Sequence, residues 1–78
     1  MTIEQGLIDY FRESGEFEVH LDTKLMEEGI IDSMGVMQLV SFIEKTYSIE
    51  VDMDDLTMDN FATIARIMNL ISTKKGKV

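Results

Sequence analysis

The sequence predicts a small all-α protein, a four-helix bundle with a short third helix and a long loop between helices 1 and 2. Apolar residues recur at helical spacing in three stretches, and residues that commonly cap helices precede them. The chain has only 78 residues. We therefore expect residues 1–78 to form a single domain, with a helical core at about 3–72 and a flexible tail at 73–78.

The first helix is predicted from residue 3 to Ser14. Thr2 and Gln5 fit a capping box at its start, and Gly15 marks its end. Its apolar positions follow the helical period: Ile3, Leu7, Tyr10 and Phe11.

Residues 16–32 show no clean helical period, and they hold six acids, one base and seven apolar residues. Such apolar content predicts an ordered loop packed on a core, with Leu21, Leu25 and Ile31 buried. A connection this long is either functional or a plain crossover between helices, and its length alone does not separate the two.

The second helix is predicted from Asp32 and Ser33 to Thr46 or Tyr47. With Asp32 as the N-cap, Ile31 and the apolar residue at position 36 form a hydrophobic staple. One apolar stripe runs along this helix: Val36, Leu39, Val40, Ile43 and Tyr47.

Two further helical segments are expected after a short extended link. Residues 52–58 should form one or two turns, the short third helix. Asp59 or Asn60 should then cap a last helix. The apolar face of that helix is predicted to contain Phe61, Ile64, Ala65, Met68 and Ile71.

Composition excludes several classes of function. The formal net charge of −8 disfavours binding to nucleic acid or to anionic lipid. The absence of cysteine excludes disulfides, zinc–thiolate sites and thiol catalysis by the chain itself. The N-terminus lacks the features of a signal peptide, and no apolar run has the length of a membrane span. We therefore expect a cytoplasmic monomer.

Residues for enzymatic chemistry are also missing. A Ser-His-Asp arrangement would need His20, which lies in the acidic loop without a glycine-rich oxyanion turn. The acids at residues 52–55 do not fit a calcium loop, because Leu56 stands at a ligand position and Thr57 replaces the turn glycine. A solvated acidic face is the better interpretation of that segment.

Ser33 has the position that best suggests chemistry. It would lie in the first turn of helix 2, where backbone amides are unpaired and the helix dipole is positive. A phosphodiester on its hydroxyl would therefore be stabilised. On Asp32 and Ser33 alone, however, a plain helix cap is the commoner explanation.

The wider context favours the functional interpretation. Residues 28–51 resemble the acyl carrier protein family, which includes peptidyl and D-alanyl carriers. The family's motif is Asp-Ser-Leu or Asp-Ser-Met at the start of a long helix, and Asp32-Ser33-Met34 matches it. Residues 54–57 and 60–64 are similar to the family's short third helix and the start of its fourth. The resemblance covers residues from about 3 to 72.

This resemblance implies that Ser33 is the attachment site of 4′-phosphopantetheine from coenzyme A. It implies that Asp32 orients the modifying enzyme's contacts and helps to hold that enzyme's metal. An acyl or aminoacyl group would be carried as a thioester on the arm, so the chain would be a carrier in a specialised biosynthetic pathway and not an enzyme. The implied partners are a phosphopantetheinyl transferase, an acyl- or aminoacyl-adenylate ligase, and a downstream acyltransferase, synthase or condensing enzyme.

The second helix differs from that of a housekeeping fatty-acid carrier. Residues 33–47 contain a single acid, Glu44, and Lys45 offsets its charge. This near-neutral surface looks more like the docking face of stand-alone peptidyl or D-alanyl carriers. The residues that we expect partners to contact are Met34, Gly35, Met37 and Ser41.

A different class of function remains open. The chain could be a small acidic adaptor whose second helix docks in a partner's groove without covalent cargo. A carrier gains the mass of phosphopantetheine when it is produced with a permissive transferase, whereas an adaptor does not.

Overall fold

The computed structural model describes residues 2–76, and in this range the chain forms α-helices and a 3-10 helix but no strand. The helices are α1 (Ile3–Gly15), α2 (Ser33–Tyr47) and α3 (Ile64–Lys75), and the 3-10 helix is Met53–Asp55. The all-α prediction is confirmed. A count of four helices is not confirmed, because the segment expected to form the short third helix contains only the 3-10 turn.

α2 has the bounds that local signals predict, whereas α1 continues one residue beyond the predicted end at Ser14 and includes Gly15. The Thr2 hydroxyl accepts a hydrogen bond from the Gln5 amide at 3.1 Å, which caps the start of α1. Glu16 adopts a left-handed conformation after Gly15, and its amide donates to the Arg12 carbonyl at 2.8 Å. This left-handed residue ends α1.

One core joins the three helices. Leu7 and Phe11 of α1 are buried in it, and the apolar stripe of α2 is buried as expected, with Tyr47 half-buried. Outside the core, the rings of Tyr10 and Phe42 pack together with centroids 4.6 Å apart. The Tyr47 hydroxyl donates to the Ile3 carbonyl at 3.4 Å. This bond links the start of α1 to the end of α2.

The long loop is ordered because it is held against the start of α3. The Leu25 side chain is fully buried, and its amide donates to the Ala62 carbonyl at 2.9 Å. The burial predicted for Leu25 and Ile31 is confirmed, but the burial predicted for Leu21 is wrong, since Leu21 is 41% exposed. Leu21 makes its contact through the backbone, where its carbonyl accepts from the Ala65 amide at 3.0 Å.

The last helix begins later than the sequence suggests. Its N-cap is Thr63, whose hydroxyl accepts from the Arg66 amide at 3.2 Å, and not Asp59 or Asn60. The Asn60 side chain instead donates to the Asp55 carbonyl at 2.9 Å, within the turns that precede α3. The buried residues of α3 are Ile64, Ile67, Leu70 and Ile71. Phe61 is buried outside the helix, whereas Ala65 is exposed and Met68 is half-buried.

The end of α3 is tied to the segment after α2. Lys74 contacts Asp55 at 2.5 Å and Asp52 at 3.0 Å. Both hydrogen bonds raise the pKa of Lys74, and the bond to Asp55 has the larger effect. Lys75 donates to the Tyr47 carbonyl at 3.2 Å. α3 continues to Lys75, so residues 73–75 of the tail predicted at 73–78 are helical. Residues 77 and 78 of that tail lie outside the described range.

Leu25 should be essential for the stability of the loop and of the whole fold. Replacing Leu25 by Ala removes a fully buried side chain, so we expect a loss of about 2–5 kcal/mol in the free energy of unfolding. Leu21→Ala is the matched control in the same loop, and it should cost no more than about 1 kcal/mol because Leu21 is partly exposed. Urea unfolding followed by circular dichroism measures both, and equal losses would contradict this view of the loop.

Candidate functional site

Ser33 is the first residue of α2, and its side chain is exposed. Asp32 precedes it in an extended conformation and forms the N-cap, as predicted. The Asp32 Oδ1 accepts from the Gly35 amide at 2.8 Å, and the Asp32 carbonyl accepts from the Val36 amide at 2.8 Å. These two bonds fix the first turn and leave the Ser33 hydroxyl at the surface.

The start of α2 favours a negative charge. No hydrogen-bond acceptor for the Ser33 or Met34 amide is found within residues 2–76. Both amides belong to the first turn of a 15-residue helix, whose dipole is positive at this end. A phosphodiester bonded to Ser33 would meet this field, so the local chemistry fits a phosphate-linked prosthetic group.

The chain segment before Ser33 is held rigidly. The amides of Ile30 and Ile31 both donate to the Leu25 carbonyl, at 2.9 Å and 3.2 Å. Ile31 and Val36 are both buried, at the positions of the predicted hydrophobic staple. The position of the serine therefore follows from the packing of the loop beneath it.

Three of the residues expected to contact partners, Met34, Met37 and Ser41, lie on one accessible face of α2. Met34 is 71% exposed and Met37 is 55% exposed, and Ser41 lies one turn further along. Gly35 is half-buried, and a Cβ atom there would lie 3.4 Å from both the Asp32 Oδ1 and the Ile31 Cβ. The side of Gly35 on which another residue would carry its side chain thus faces the protein's own chain. The role of Gly35 in letting a partner approach stays a prediction.

Sequence reasoning missed the residues that border Ser33 from other parts of the chain. A shallow cavity of about 370 Å³ is lined by Ser33, Asp32 and Ile31 together with Met26 and Met58. Met58 is 72% exposed and lies 25 positions from Ser33, after the 3-10 helix. No local pattern marks such a neighbour, because only the folding of the loop and of residues 56–62 brings it there.

A second cavity lies on the α1 side of Met34. It has a volume of about 270 Å³, and its lining includes Tyr10, Phe17 and Gln38 in addition to Met34. Phe17 is 39% exposed, so aromatic surface continues from α1 to the start of α2. The exposed methionine is therefore part of a wider apolar border beside the serine.

Other candidate groups do not form a site. In the part of the chain that the structure describes, no three His, Cys, Asp or Glu residues are grouped as a metal site would need. Two acids of the segment expected to be a solvated acidic face, Asp52 and Asp55, pair with Lys74. His20 is exposed, and its amide donates to the Thr23 hydroxyl at 2.8 Å. None of the described helices is long and apolar enough to cross a membrane.

Comparison with known families agrees with this geometry. A family model described as the phosphopantetheine attachment site matches residues 12–71, which include all of α2 and most of α3. The chain belongs to this family of phosphopantetheine-bearing carriers. The carrier thus has covalently bound phosphopantetheine as its prosthetic group, and its role is to carry a group and not to catalyse a reaction.

The curated relatives of the carrier include the D-alanyl carrier proteins of Streptococcus pyogenes serotype M5 (strain Manfredo), serotype M49 (strain NZ131) and serotype M1. Each is 29% identical over 70 residues, a match that covers 87% of this chain and 89% of the relative. The resemblance to acyl carriers, and to D-alanyl-type carriers within them, is confirmed.

Asp32 should stabilise the carrier more through its cap hydrogen bond than through its charge. Asp32→Ala removes the acceptor for the Gly35 amide, so we expect a loss of about 0.5–2 kcal/mol in the free energy of unfolding. Asp32→Asn keeps a side-chain oxygen that can accept this bond, and it should lose no more than about 0.5 kcal/mol. Urea titrations of the two variants compare these values, and an equally large loss in both would disprove the cap.

Proposed function

We propose that the carrier holds an acyl or aminoacyl group as a thioester on a 4′-phosphopantetheine arm attached to Ser33, and that it presents this group to partner enzymes. The main observation in support is the exposed Ser33 hydroxyl at the capped start of α2, inside the region that matches the family. In this proposal residues 1–78 act as one carrier domain in the cytoplasm, within a specialised biosynthetic pathway.

The residues at the start of α2 divide the tasks that the arm requires. The Ser33 oxygen forms the phosphodiester, and the free amides of Ser33 and Met34 stabilise its charge. When bound, the arm supplies a thiol, which the cysteine-free chain lacks. The Asp32 Oδ1 is occupied by the Gly35 amide, and Oδ2 accepts no hydrogen bond within residues 2–76. Oδ2 is therefore available to a metal ion held by the transferase.

A small aminoacyl group is the cargo that we favour. The curated relatives are named as D-alanyl carriers, so D-alanine is the first acid to test. The cavities beside Ser33 are open at the surface, so neither encloses a long chain. A short cargo needs no internal storage space. An aminoacyl-adenylate ligase would load it, and an acyltransferase, synthase or condensing enzyme would receive it.

Partner enzymes should bind the carrier through apolar contacts near Ser33. Met34 and Met37 are exposed on one face, while the acids are concentrated in the loop and at residues 50–59. Long-range attraction from those acids can steer a basic partner toward the carrier without supplying the close contact. In this view the methionines supply binding energy, and Gly35 and Ser41 complete the docking surface.

The attachment site can be tested by mass spectrometry. The full chain, incubated with a permissive phosphopantetheinyl transferase and coenzyme A, should gain one arm, and Ser33→Ala should gain none because it lacks the hydroxyl. Ser72→Ala is the control, because Ser72 is exposed on α3 and is not one of the docking residues, and this variant should still be modified. Intact-mass and peptide analysis locate the arm. An arm on another serine would refute Ser33 as the site, and no arm at all would favour the adaptor function.

The docking surface can be tested by introducing a negative charge into it. In the modified carrier, Met34→Glu and Met37→Glu should each slow loading by the cognate ligase about tenfold, which corresponds to about 1.4 kcal/mol of lost contact. Met53→Glu is the control, since Met53 is 87% exposed on the 3-10 helix. Loading of the parent should change little across a salt series. Normal loading of both variants, together with loss of loading in salt, would show that docking is electrostatic instead.

A further inference from the structure

The methionines are unevenly distributed on the carrier surface. The chain has seven methionines and no cysteine, so thioethers are its only sulfur atoms. Among residues 2–76, Met26 and Met68 are half-buried and four methionines are largely exposed. The exposed four, with their exposed fractions, are Met34 (71%), Met37 (55%), Met53 (87%) and Met58 (72%).

Three of these four lie around Ser33. Met34 follows it in the chain, and Met37 lies one turn further along the same face of α2. Met58 lines the cavity that Ser33 itself borders. Met53 lies on the 3-10 helix and is not part of that lining. The three thioethers around the serine are thus both accessible to small oxidants and close to the surface that an enzyme attaching the arm must cover.

We propose that Met34, Met37 and Met58 form a peroxide-sensitive modification site that controls attachment of the arm to Ser33. The proposal rests on the function proposed above. A thioether sulfur attacks one oxygen of hydrogen peroxide, the O–O bond breaks, and one S–O bond forms. The sulfur loses two electrons to the peroxide, the product is methionine sulfoxide, and the other oxygen leaves as water.

Oxidation changes what these side chains can bind. A sulfoxide carries a strong acceptor oxygen, which must lose its water when a partner covers it. The flexible apolar contact that a thioether offers is lost at the same time. An enzyme that docks beside Ser33 should therefore bind the oxidised carrier less well. The change is reversible, because a methionine sulfoxide reductase returns the thioether while a dithiol becomes a disulfide and water is released.

The test uses the full chain before attachment of the arm, so that no thiol competes for peroxide. Brief treatment with hydrogen peroxide is stopped with catalase, and peptide mass analysis identifies the oxidised residues. Transferase and coenzyme A are then added, and the rate of arm attachment is compared between oxidised and unoxidised samples of each variant. The variants are the parent, the triple variant Met34→Leu/Met37→Leu/Met58→Leu, and the control Met53→Leu. Leu keeps the apolar volume but cannot be oxidised.

We expect oxidation to slow arm attachment about tenfold in the parent and in Met53→Leu, equivalent to about 1.4 kcal/mol. In the triple variant, oxidised and unoxidised samples should gain the arm at the same rate. Sulfoxide reductase should restore the rate of the oxidised parent, and the helical circular dichroism of every sample should stay unchanged. Equal rates for oxidised and unoxidised parent, an equal loss in the triple variant, or a loss that accompanies unfolding would each overturn the proposal. If the unoxidised parent gains no arm, the proposed function itself has failed.

Discussion

Leu25 is the point on which the arrangement of the loop depends. Its side chain is fully buried, its amide donates to Ala62, and its carbonyl accepts from the amides of Ile30 and Ile31. One residue thus connects the core to the segment before α3 and to the segment before α2. A 78-residue chain has a modest core, so a connection of this length must contribute to it. The loop of this carrier is therefore structural, whatever its acids contribute to partner recognition.

The functional surface follows from this constraint. Because Ile31 is fixed, Asp32 can cap α2 and Ser33 is held at the surface with free amides around it. The cysteine-free chain supplies no thiol of its own at this point. It supplies a fixed position, a favourable field and an apolar border of methionines, while the prosthetic group supplies the reactive thiol. Such a division of tasks explains how a small acidic domain takes part in acyl chemistry.

Local signals predicted the parts of this structure that depend on local interactions. The sequence predicts Asp32 as a cap because an acid and a serine precede an apolar stripe. Asp59 and Asn60 carry the same local signal but do not cap α3. Short-range bonds hold this segment in turns, and the Ala62 carbonyl accepts from the Leu25 amide of the loop, so the helix begins after Thr63. Met58 beside Ser33 could not be found from the sequence, since its place depends on how two separate segments fold together.

The central claim is that the capped start of α2 receives a phosphodiester on Ser33. The most direct measurement compares the backbone amide resonances of the ¹⁵N-labelled carrier before and after attachment of the arm. The account predicts that the largest shifts occur at Ser33, Met34 and Gly35, with smaller ones at Met58 and almost none at the far end of α2 near Tyr47. Unchanged resonances at residues 33–35, or the largest shifts elsewhere in the molecule, would contradict it.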